Sequence, residues 1–153
     1  MAIGEYNVNK VFAGILATVL GSSVTASETY VSAKDLASKV VTGDSYQIPS
    51  SEGYKVLMVQ RKATGDAEVH TDMNDTIIIQ QGHGEFLVGG SITGNHQIAP
   101  TEWRGGEING AHRYTVSVGD LLLIPAGIPH KALVTDGPFT YLAIKTPLTR
   151  AAK

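Results

Sequence analysis

The chain has 153 residues and a formal charge of -2 with histidine neutral. That length is one domain's worth, and Lys and Arg are scattered singly, so no basic face offers itself to a phosphate backbone and nucleic acid is excluded as a partner. The absence of cysteine excludes disulfide frameworks, thiolate zinc sites and thiol nucleophiles, and any metal would have to sit among nitrogen and oxygen ligands from His, Asp and Glu.

From the N-terminus, Lys10 precedes the apolar run VFAGILATVLG from Val11 to Gly21, followed by small residues in which Val24 and Ala26 are placed as they are before a secretory cleavage site. The run is too short to span a bilayer. Residues 1–26 are therefore expected to be a signal peptide cleaved after Ala26. That would put the protein in the periplasm or outside the cell, with no stable membrane insertion after processing. The alternative is a retained apolar segment, a buried helix or arm, in a cytoplasmic protein; Glu5 dilutes the positive charge of a leader and favours it.

Residues 27–52 are expected to hold one short helix and a lead-in strand. Ser32 followed by AKDLASKVV has a capping residue and helix formers, which predicts a surface helix from Ala33 to Val41 closed by Gly43. Residues 53–147 read as strands. Tyr54 to Arg61, Asp75 to Gln81, Glu85 to Val88, Arg113 to Val118, Asp120 to Ile124, His130 to Thr135 and Phe139 to Lys145 are short runs rich in β-branched and aromatic residues. Gly82, Gly84, Gly89, Gly90, Gly119, Gly127 and Gly137 punctuate them, and many short strands with such turns imply an all-β sandwich or barrel. Ser91 to Gly110 has no clear period and is expected to be a long loop, a lid or binding loop containing Trp103. Residues 148–153 form a tail.

The segment GDLLLIPAGIPH runs from Gly119 through Pro125 and Gly127 to His130. It resembles closely the second conserved motif of the cupin superfamily. Upstream, Glu68, His70, Asp75 and Gly82 follow the spacing of the first cupin motif. The family usually has histidine where Glu68 stands and glutamate where Asp75 stands, and often asparagine where Val134 stands. The resemblance covers about ninety residues, roughly Tyr54 to Lys145. It implies a double-stranded β-helix, a jelly-roll barrel, preceded by one short N-terminal helix.

It also implies that Glu68, His70, Asp75 and His130 hold one divalent metal ion. Residues 68 and 70 are two apart on a strand and leave the same face, so they can converge on one ion. Imidazoles with carboxylates suit Fe, Mn, Zn or Ni and support Lewis acid chemistry or oxygen activation. A second register uses His70 and Asp72 as the alternating pair. It needs a shorter turn before Asp75 and leaves Asp72 as a rim residue otherwise. A decayed site, in which His70 and His130 only hydrogen-bond, is a further reading.

Tyr54, Tyr141 and Lys145 lie in predicted strands and could face the cavity or the core. Arg104 and Glu107 could bind a polar substrate or be solvated. His83, His96 and His112 receive no role, and Gly119, Pro125 and Gly127 a structural one. The functional expectation is a metal-dependent isomerase, lyase or oxygenase of a small carbohydrate-like or carboxylated molecule. A binding module or sensor without turnover is the alternative, and a storage or structural role in an oligomer is a third reading. The resemblance further implies a homodimer paired through its sheets.

Overall fold

A computed structural model describes residues 29–39, 45–49 and 53–148. The expected signal peptide, the helix-closing Gly43 and most of the C-terminal tail lie outside the described residues. The helix α1 spans Ala33–Lys39. Ser32 caps it: the Asp35 amide donates to Ser32 Oγ at 3.1 Å, and Ser32 Oγ donates back to the Asp35 carboxylate at 2.6 Å. None of its residues is buried, so α1 contributes nothing to the core.

Thirteen strands follow: β1 (Ser45–Ile48), β2 (Lys55–Arg61), β3 (Glu68–His70), β4 (Met73–Gln81), β5 (His83–Val88), β6 (Ser91–Thr93), β7 (His96–Ala99), β8 (Glu102–Arg104), β9 (Glu107–Asn109), β10 (His112–Ser117), β11 (Leu121–Ile124), β12 (His130–Leu133) and β13 (Phe139–Pro147). All pair antiparallel. One sheet has the order β1-β2-β13-β4-β11, a second β10-β5-β12-β3-β8-β7, and β6 pairs with β9 as a two-stranded ribbon. The all-β expectation is met, and every predicted strand is present within a few residues of its expected bounds.

The 91–110 stretch differs from expectation. It is not a loop but four short strands, β6 to β9, of three or four residues each. Glycines with positive φ at Gly90, Gly94, Gly105, Gly106 and Gly110 turn the chain between them. At Gly90 and Gly106 a Cβ would also meet backbone atoms at 2.2 and 2.1 Å, so only glycine fits. Three residues are too few to show a period, which is why the strands are invisible in the sequence.

The sheets bury one face by two-residue alternation. On β4 the buried residues are Asp75, Ile77 and Ile79; on β11, Leu122 and Ile124. On β13 the inward positions Phe139, Tyr141 and Ala143 are followed by Lys145, so the same parity that builds the core carries an ammonium into the barrel. The apolar end is closed by Phe86, Phe139 and Tyr141. Phe86 meets the other two rings edge-on at centroid distances of 6.1 and 5.5 Å. Gly84 makes room for Phe139, whose ring would lie 2.6 Å from any Cβ added there.

Candidate metal centre

The polar end of the barrel is assembled from neighbouring strands by register. In the second sheet His130 stands directly opposite Glu68, Glu68 opposite Arg104, and His70 opposite Glu102. In the first sheet Lys145 stands opposite Asp75. Directly opposed residues on paired strands lie within side-chain reach, so these pairings alone fix the neighbours of each group.

The turn that delivers His130 is anchored to the other motif. The amide of Gly127, at φ +84°, donates to the carbonyl of His70 at 2.7 Å, and the amide of Ala126 donates to Asn74 Oδ1 at 3.0 Å. Two segments more than fifty residues apart in the chain are thereby held as one unit.

Glu68, His70 and His130 are buried and each presents one ligand atom within 4.8 Å of the others, a group that could hold a metal ion. Glu68 Oε2 lies 3.2 Å from His70 Nε2. Asp75, 2% exposed, places Oδ2 at 3.2 Å from His130 Nε2 and 3.7 Å from His70 Nε2. Asp75 thus lies beside both histidines, while the group that meets within 4.8 Å is Glu68, His70 and His130. Asp72, the alternative ligand of the shorter register, is exposed in the turn between β3 and β4 and does not join them.

The donor chemistry fits a cation. His130 Nδ1 is 3.1 Å from the Ile128 carbonyl, which can only accept, so Nδ1 carries a hydrogen and Nε2 is the ring atom left for Asp75, 3.2 Å away, or for an ion. Glu68 spends Oε1 on Arg104 Nη1 at 2.7 Å and Arg61 Nη2 at 3.3 Å, leaving Oε2 for the cluster. His70 Nε2 has Glu68 Oε2 at 3.2 Å and Lys145 Nζ at 2.9 Å. One ring nitrogen can give a proton to the first or a lone pair to the second, not both. The Glu68 and Asp75 carboxylates and the two imidazole Nε2 atoms thus form a run of close contacts in which a positive charge is favoured.

Lys145 supplies one such charge: its Nζ donates to both Asp75 oxygens at 2.8 Å. Burial alone would raise the Glu68 carboxyl, but the His70 hydrogen bond and the charge of Arg104 outweigh it and hold the group at about 2. Burial likewise opposes ionisation of Asp75, and the His130 hydrogen bond with the charge of Lys145 brings it below the usual carboxylate range. Burial pushes the Tyr141 phenol up despite the neighbouring Arg61 guanidinium, so the phenol keeps its proton.

A cavity of about 190 Å³ leads to the cluster, walled by Leu57, Ile77 and Phe86 on its apolar side and lined by Arg61, Arg104 and Tyr141 on its polar side. A second cavity, of about 230 Å³ and lined by Asp72, Glu102 and His70, adjoins it, with Arg104 and Lys145 common to both. Arg104 and Tyr141 thus take the cavity-facing side of their alternatives. Tyr54 precedes β2 and is 42% exposed, and Glu107 is exposed. His83, His96 and His112 are exposed and remote from the cluster's contacts. Arg61 and Glu102 were not singled out from the sequence. Arg61 carried a readable signal, since it shares the two-residue parity of Leu57 and Val59; Glu102 lies in a strand too short to show one.

No protein-family model and no curated protein matches the sequence. The structure is similar to solved ones. DMSP lyase DddQ from Ruegeria pomeroyi superposes with a TM-score of 0.51 at 20% identity, over 71% of this chain and 48% of that one. This chain therefore spans about half of that lyase's length. A cupin protein from Bacteroides fragilis gives 0.52 at 12% identity, over 84% and 90% of the two chains. A protein with a double-stranded β-helix domain from Klebsiella pneumoniae gives 0.53 at 17%, over 78% and 91%. At these identities the likeness shows the fold, the cupin double-stranded β-helix.

Proposed function

We propose that this chain, a small protein of cupin fold, is a divalent-metal enzyme acting on a small carboxylated molecule, in a lyase, isomerase or oxygenase reaction. The observation that carries the reading is the convergence of Glu68, His70 and His130 ligand atoms within 4.8 Å at the polar end of a cavity. Asp75 is the fourth ligand of the proposed set. The ion, Fe, Mn, Zn or Ni, would polarise a bound oxygen as a Lewis acid or, if redox-active, engage oxygen.

The chain's own residues account for the rest. The cavity is lined by Arg61, Arg104, Lys131 and Lys145 against Asp66, Glu68 and Asp75, a formal excess of one positive charge before any ion enters. A divalent ion increases that excess, so an anionic ligand is favoured and a neutral sugar is not. Arg61 and Arg104, already paired with Glu68 and Glu102, offer their remaining N–H groups and their charge to the substrate carboxylate. The Tyr141 hydroxyl accepts from Arg61 Nε at 3.1 Å and retains its own O–H to donate to a bound ligand. The cavity, about 190 Å³, suits a small substrate. DddQ, a DMSP lyase by name, illustrates that the fold can serve a lyase of a small molecule.

A metal-free ligand-binding barrel is the second reading. It is favoured by one contact, Lys145 Nζ at 2.8 Å from Asp75 and 2.9 Å from His70, which neutralises part of the cluster without an ion. Metal analysis of protein purified without chelator or metal-binding tag separates the two. Near-stoichiometric iron, manganese, zinc or nickel, lost in His130→Ala and Glu68→Ala, supports the enzyme. No metal after reconstitution with any of the four supports the binding protein.

A further inference from the structure

Lys145 borders two cavities in this structure. Its ammonium holds two of the four cluster residues, 2.8 Å from each Asp75 oxygen and 2.9 Å from His70 Nε2. The same side chain also forms part of the wall of the adjoining cavity of about 230 Å³, where the carboxylates of Asp72 and Glu102 are found. The backbone does not need to move for the exchange. Lys145 is fixed on β13 by pairing with Asp75 on one side and Lys55 on the other, while its four-carbon stem turns about its own bonds.

We propose that Lys145 is a tethered cation that fills the metal position when no ion is bound and is displaced by the ion into the cavity lined by Asp72 and Glu102. The inference rests on the metal-binding reading above. An ammonium and a divalent ion cannot share Asp75 and His70 at these distances, because like charges a few ångströms apart repel by several kcal/mol even at an effective dielectric of about 20. Metal entry therefore works against the loss of the Lys145 contacts, and the lysine lowers the apparent affinity of the site. The lone ammonium in turn keeps the buried Asp75 carboxylate compensated in the metal-free protein, which an unpaired buried charge would otherwise destabilise. In the second cavity the displaced ammonium meets the exposed Asp72 and also Glu102, whose Oε1 accepts from Arg104 at 2.6 and 2.9 Å, so displacement does not strand it.

The test compares affinities of the full chain for Zn²⁺ and Mn²⁺, by calorimetry with a competing chelator, in wild type and Lys145→Met, which keeps the stem and removes the charge. Metal binding tighter by about tenfold or more in Lys145→Met is the expected result. Equal or weaker binding in the variant, with wild type binding metal, overturns the inference and leaves the metal reading standing. Absence of binding in both proteins overturns the two together. Lys145→Met leaves Asp75 buried without its partner and can fail to fold, so the wild-type protein is also tested alone. Trace acetylation of Lys145, read by mass spectrometry, is expected to rise several-fold when Zn²⁺ is added, as the ammonium leaves its carboxylate cage. Unchanged labelling in metal-saturated protein overturns the displacement.

Discussion

Glu68 is the residue on which most of the site's electrostatics meet. Two guanidiniums hold its Oε1, and His70 stands against its Oε2. In the metal-free protein its carboxyl lies near 2, below the ordinary 4.5. A depressed folded value means that the group's contribution is fully present above the ordinary value and is lost as pH falls toward the folded one. Each unit corresponds to about 1.4 kcal/mol, so roughly 3 kcal/mol is at stake in this window. Urea melts of metal-free protein at pH 5 and pH 2 are expected to show a steeper loss of stability in wild type than in Glu68→Gln, by that order. Parallel losses would mean that the arginines do not hold Glu68 ionised. The departure from the usual histidine at this position thus has a local reason: Arg61 and Arg104 are placed to pair with a carboxylate, and they would repel a protonated imidazole. The identity of Glu68 was readable in the sequence. Its arginine partners were not assigned to it, because Arg104 meets it through the β3–β8 register and Arg61 from β2 in the other sheet, and only the folded barrel supplies both.

At the scale of elements, the site hangs on turns and short strands more than on the long ones. The strands with five or more residues announce themselves by alternation and β-branched content, and β2, β4, β5, β10 and β13 were all legible. The segments β6 to β9 were not, and with β8 unseen the contribution of Glu102 and the full place of Arg104 were hidden too. Two glycines separate what holds the barrel from what aims the ligands. Gly84 has Phe139 ring atoms within 2.6 and 2.8 Å of a would-be Cβ, whereas Gly127 has open space but φ at +84°. Gly84→Ala overpacks the core and is expected to cost ~1–3 kcal/mol of stability with metal affinity unchanged. Gly127→Ala strains only one backbone position, ~1–2 kcal/mol. It also disturbs the turn whose amide is bonded to His70, and metal affinity is expected to fall by about tenfold. Denaturant melts and metal titrations on the two variants check the split; a Gly84→Ala protein with weakened metal binding would show that the core and the site are not separable.

Across the whole molecule, the two sheets are joined at opposite ends by different forces. Phe86, Phe139 and Tyr141 close one end by apolar burial. The cluster at the other end draws Glu68, His70 and His130 from one sheet and Asp75 from the other. Lys145 and Phe139 lie six residues apart on the same strand, about 20 Å along its backbone, and Tyr141 between them reaches the polar end through Arg61, 3.1 Å from its hydroxyl. The barrel was legible from its strands and turns, and the grouping of Glu68, His70 and His130 from the resemblance to the cupin motifs. The sequence could not reveal that Lys145 and Arg61 face the same cavity, because inward parity on β2 and β13 becomes a shared wall only once those strands pair. An ion held by the proposed ligands would bridge the sheets and stabilise the folded state by mass action, about 2.7 kcal/mol when the free ion is at a hundred times its dissociation constant. Wild-type protein is therefore expected to gain that much in urea melts with Zn²⁺ or Mn²⁺, and His130→Ala to gain none. Phe139→Ala, expected to lose ~3–5 kcal/mol from the apolar end, should still gain the same increment from the ion, because distant sites add. An increment that shrinks in Phe139→Ala would mean that the aromatic end sets the geometry of the ligands, and that the barrel transmits strain along its full length.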